Sequence, residues 1–196
     1  MKSITEYIKE GKDQIETKDV VNALKDSGET TQEIKQDVDL KQKYIGYKQL
    51  VTMFTKKCFE WSKGLGDLLK IVAKEEGNDF MLKNFGKDWV IEFMNKFKEF
   101  GESVAKLNKQ LSEDVNESIS VSKIKNYQDL YKLFSGLKFL DDTMVNWEKQ
   151  HIKDNEFKIL VDARKNVSDK IHALVEMSGK IKKLIDVTLD LMNQKV

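Results

Sequence analysis

Apolar residues recur along this chain at alternating steps of four and three. The longest run is Tyr47, Val51, Phe54, Cys58, Trp61, Leu65, Leu68 and Val72. Side chains at that spacing fall on one stripe of an α-helix. Leu50 and Leu69 widen the stripe to the face of a bundle helix rather than a narrow two-stranded seam. A second run reads Val90, Phe93, Phe97, Phe100, Val104, Leu107 and Leu111, again at coiled-coil-like heptad spacing. A third carries Leu133, Leu137, Leu140, Met144, Trp147 and His151, and a fourth Phe157, Leu160, Val167, Ile171, Leu174, Ile181, Ile185 and Met192. Trp61 and Phe97 lie mid-stripe on consecutive helices, so both are expected to be buried.

The stop and start signals place four long helices at about 30–75, 79–112, 122–152 and 155–194. Thr30 and Glu33 make a capping box before the first of these, and Glu76-Gly77-Asn78-Asp79 reads as the turn that ends it. Ile119 and Val121 alternate with serines, which allows a short extended segment there. Lys153-Asp154-Asn155 reads as a tight turn or a kink in one long helix. Ahead of the four, Ser3-Ile4-Thr5-Glu6 is a second capping box, and Ile4, Tyr7, Ile8 and Ile15 form a thin stripe. Residues 1–27 therefore read as a weak amphipathic helix, ended by Asp26-Ser27-Gly28. The connections read as short, which makes consecutive helices antiparallel. The expected fold is all-α: an elongated up-down-up-down bundle over residues 28–196, with the N-terminal helix as an appendage and one domain overall.

Composition agrees with long helices, because none of the 196 residues is proline. The 34 basic and 33 acidic side chains leave a net charge of +1. That balance exerts no global pull on nucleic acid, and Arg164 is the only arginine available for bidentate phosphate or base recognition. One cysteine excludes an internal disulfide framework. The N-terminus carries Glu6, Glu10 and Asp13 with no apolar run, so it does not read as a signal peptide, and no stretch is a transmembrane span. The expected location is the cytoplasm, or outside the cell by a signal-independent route.

Candidate chemistry reduces quickly. Glu148-x-x-His151 and Asp169-x-x-His172 have the spacing of carboxylate–histidine pairs in di-iron bundles. A turn near Asp154 would separate the two histidines by about 22 Å along the helices, so one metal site cannot use both. Cys58 stands mid-stripe between Phe54 and Trp61, where burial makes a thiol inert. Gly64-Leu65-Gly66 lies within a helix and lacks the remaining glycines and the lysine of a phosphate loop; its small residues suit close helix approach or a slight bend. No catalytic, cofactor or metal site is assigned.

Two constellations remain. In an up-down-up-down bundle the turns after the first and third long helices share one end. That end would combine Phe80, Met81, Lys83, Phe85, Lys87 and Trp89 with Trp147, Lys149, His151, Lys153 and Phe157. Aromatics interleaved with lysines at one tip suit a partner protein or a membrane interface; they also suit a plug for the end of the core. The second constellation is a polar layer. Arg164 interrupts the apolar rail between Leu160 and Val167, opposite roughly position 144. It either pairs with Asp141, which continues the step from Leu137 to Met144, or lays its stem on the core and holds its head in water. The functional expectation is a non-enzymatic scaffold, adaptor or effector-type module. It would bind a protein partner through a helix face or the aromatic–lysine tip, with a homo-oligomer left open. The alternative is a membrane-surface-binding or pore-forming helical protein.

Overall fold

The computed structural model describes residues 31–111, 124, 126–151 and 157–194. Its five helices among these residues are α1 (Thr31–Glu76), α2 (Phe80–Phe85), α3 (Lys87–Gln110), α4 (Tyr127–His151) and α5 (Lys158–Asn193). The fold is an all-α bundle. The proposed N-terminal helix, the segment around Ile119 and Val121, and the turn at Lys153-Asp154-Asn155 lie outside the described residues.

The helix read as continuous over 79–112 is two helices. Gly86, at φ +81°, separates α2 from α3, a backbone conformation that a side chain disfavours. Gly77, at φ +95°, closes α1 in the same way, and its N–H bonds to the Ala73 carbonyl at 3.0 Å.

The chain divides after Leu50 into two compact units, residues 1–50 and 51–196. The division falls inside α1 rather than at the junction expected near residue 28. No glycine, proline or polar run marks residue 50, so the pattern of the chain carries no sign of the division. In the first unit Tyr47 and Leu50 are buried.

In the second unit, Val51, Phe54, Cys58, Trp61, Leu65, Leu68 and Val72 are all buried. Trp61 packs edge-on against Phe100, ring centroids 6.0 Å apart. Phe97, expected at that level, is only part-buried; it stacks on Phe93 at 6.2 Å instead. Gly64 explains one feature of Gly64-Leu65-Gly66. A Cβ there would meet Ile124 Cδ1, so the missing side chain is the seat for Ile124 on α1, whereas Gly66 has open space around it.

Helix directions follow from pairs of contacts. Glu99 meets Lys170 at 2.9 Å and Ser103 meets Asn166 at 3.4 Å, so α3 and α5 are antiparallel. Tyr127 meets Ser178, Phe134 meets His172, and Trp147 meets Phe157, so α4 and α5 are antiparallel too. Hence α3 and α4 run parallel, and the alternating up-down-up-down order does not hold. The segment between Leu111 and Asn126 is long enough to permit this. About 15 residues can span roughly 50 Å when extended, enough to return the chain along the bundle before α4 begins.

Candidate functional site

The reversal separates the two halves of the aromatic–lysine tip. Phe80, Met81, Lys83, Phe85, Lys87 and Trp89 follow the end of α1, where Glu76 accepts a 3.0 Å hydrogen bond from Thr188. Trp147 and His151 stack at 4.8 Å, and Trp147 packs 5.9 Å from Phe157 at the start of α5. Thr188 and Phe157 are about 46 Å apart along α5. No single surface can use both groups. Lys153 lies outside the described residues.

Each half is organised locally. Phe80 is buried, while Phe85, Trp89, Phe93 and Phe97 form a ladder with successive centroid distances of 4.6, 5.3 and 6.2 Å. The ladder carries the apolar rail of α3 across Gly86 into α2. The buried Trp89 Nε1 has no hydrogen-bond partner among the described residues. Lys83 is held by Asp79 at 3.0 Å, and that hydrogen bond keeps the Asp79 carboxyl below its ordinary pKa. Met81 is part-buried and Lys87 exposed; at the other end Phe157 is buried and Lys149 exposed.

The polar layer is a buried cluster of charge in the second unit. Arg164 is 1% exposed. Its Nη1 donates to Asp141 Oδ1 at 2.6 Å and its Nη2 to Glu148 Oε2 at 2.7 Å. Ser168, one turn further along α5, donates to the second Asp141 oxygen at 2.6 Å. The cation therefore lies inside with its head on two carboxylates of α4, rather than snorkelling to water. Glu148 and Ser168 were missed by the sequence reading. Glu148 lies seven residues from Asp141 and Ser168 four from Arg164, spacings that put each on its neighbour's face.

Cys58 approaches this layer from α1 and is fully buried. Burial, with a smaller contribution from the Asp141 charge, pushes its thiol well above the ordinary value. A protonated, enclosed thiol is a poor nucleophile. In native protein at pH 8, Cys58 is expected to resist iodoacetamide, and alkylation should appear only along the denaturant unfolding curve. Rapid native labelling would contradict the packing. The sign of its linkage follows. The folded thiol keeps its proton above the pH at which an unfolded thiol loses it, about 8.5. Its contribution to stability is thus complete below that pH and falls as pH rises beyond it.

Among the described residues no group of three or more His, Cys, Asp or Glu is placed to hold a metal ion. His172 packs edge-on against Phe134 at 5.7 Å, and no described helix is long and apolar enough to cross a membrane.

The exterior of α4 is the remaining feature. Tyr131 is 51% and Phe139 62% exposed. They stand two turns apart on the side away from the buried Leu130, Leu137 and Met144. Ser135 between them donates to the Tyr131 carbonyl at 3.1 Å, and Thr143 to the Phe139 carbonyl at 2.8 Å. Both hydroxyls are satisfied inside the helix, so covering this face would strand neither.

Comparison with protein-family models, with curated proteins and with solved structures finds no match for the chain.

Proposed function

We propose that the protein is a non-enzymatic interaction module, a helical scaffold or adaptor that engages a protein partner through the outer face of α4. The observation that carries this reading is the exposed pair Tyr131 and Phe139. Large aromatic side chains supply much of the energy at protein interfaces. The groups with most chemical potential, Cys58 and Arg164, are enclosed and used in packing, which favours binding over catalysis. The test is a photo-crosslinking residue at position 139 in the full chain, in its native host. One adduct of defined mass is expected, competed away by unlabelled protein and absent when the crosslinker is moved to exposed Glu102. Equal labelling from both positions would overturn the proposal.

A membrane-surface role is the second reading, supported by Leu82, Ile91 and Met94, which are 48%, 48% and 53% exposed near Lys83 and Lys87. Co-sedimentation with anionic vesicles, abolished by Leu82→Asp, is its expected signature. Recovery of the full-length protein entirely in the supernatant would remove it.

A further inference from the structure

Folding sorts the charges of α4 unevenly. Asp141 and Glu148 turn inward to Arg164, and Asp129 is taken up by Lys132 at 3.6 Å. Asp142 is the one acid of α4 left facing outward, against exposed Lys132, Lys138 and Lys149. Lys138 and Lys149 make no ion pair among the described residues. The helix is acidic in composition, with four acids to three lysines, yet its exterior is basic around two exposed rings. The rings are eight residues apart, about 12 Å along the helix, with exposed Ser135 between them on the same face.

We infer that this face binds an acidic amphipathic helix of a partner protein. This rests on the reading above and specifies the partner's chemistry. The partner's apolar anchors, seven or eight residues apart, would cover Tyr131 and Phe139, and its carboxylates would lie over Lys132 and Lys138. Asp142 repels the same carboxylates, so it fixes which end of the partner carries them. A lipid surface is disfavoured because the face holds three lysines, fewer than polybasic lipid-binding segments, and has polar Gln128, Ser135 and Thr143 among them.

The experiment uses the full chain and a fluorescein-labelled helical peptide with leucines seven residues apart and glutamates beside them. Binding is read by anisotropy. Phe139→Ser and Lys138→Glu are each expected to weaken it about tenfold or more, and Asp142→Lys to tighten it. Rising salt should weaken it. All three positions are exposed, and unchanged circular dichroism confirms that each variant folds. A glutamine-for-glutamate peptide should bind poorly. Equal binding of that analogue, indifference to all three substitutions, or no binding would overturn the inference. So would binding to phosphatidylserine vesicles, lost in Phe139→Ser, in place of the peptide. A native adduct at position 139 together with failure of the acidic peptide would leave the interaction role standing and reject only the partner chemistry.

Discussion

Arg164→Met is expected to destabilise the protein by about 3–5 kcal/mol, because it leaves two inward-facing carboxylates without their cation. Asp141 is a buried residue, and the Glu148 side chain is 11% exposed. With side chains only 12% and 11% exposed, the two carboxylates recover little of the lost pairing from water. Asp141→Leu should be milder, about 1–3 kcal/mol, since Arg164 retains Glu148 as a counter-charge while its Nη1 and the Ser168 hydroxyl lose their acceptor. The double variant should recover part of the loss, and adding Glu148→Leu should recover more. Apolar replacement of a whole buried ionic cluster is often neutral or stabilising. Urea unfolding with a constant slope measures each change. Additive losses would show that the residues do not interact. A stable triple variant invites a second measurement. If the layer also sets the register of α4 on α5, the nuclear Overhauser contact between the rings of Phe134 and His172, whose centroids lie 5.7 Å apart in the parent, should be lost in the triple variant.

The other large effect lies in the apolar core. Trp61→Ala and Phe100→Ala should each cost about 3–5 kcal/mol. Both side chains are essentially fully buried and touch edge to face. Because they share one contact, their double variant should lose less than the sum. Phe97→Ala provides the contrast. Its ring is part-buried on the Phe93 side of the helix, and its loss should be about 1–2 kcal/mol. Denaturant midpoints that rank Phe97 with Phe100 would contradict the packing of α3 described above.

The Phe97 result shows where periodicity stops being informative. Phe97 and Phe100 belong to the same heptad stripe, and the stripe alone treats them as equivalent. Which of them meets Trp61 depends on the rotation of α3 about its axis. That rotation is constrained by the contacts of Glu99 and Ser103 with α5 on the neighbouring face. The aromatic–lysine tip failed for a related reason. Its described residues do lie near helix ends, but their meeting depended on one connection. Short connections throughout are what the sequence leads one to expect, whereas the segment between Leu111 and Asn126 is long enough to permit a return along the bundle.

The sequence by itself determined that the chain is helical, where most helices begin and end, and which face of each is apolar. These are local properties, set by side-chain spacing, capping residues and two turn glycines. It also made the level of Arg164 and Asp141 legible, because a short turn reflects one helix onto the next and leaves little freedom in register. Only the tertiary structure decided that α4 runs parallel to α3. It alone brought Glu148 and Ser168 to the guanidinium, and it alone left Tyr131 and Phe139 uncovered. An apolar stripe states that a face must be buried, but burial is non-directional. Which partner covers the stripe, and in which direction it runs, is chosen by contacts between residues far apart in the chain.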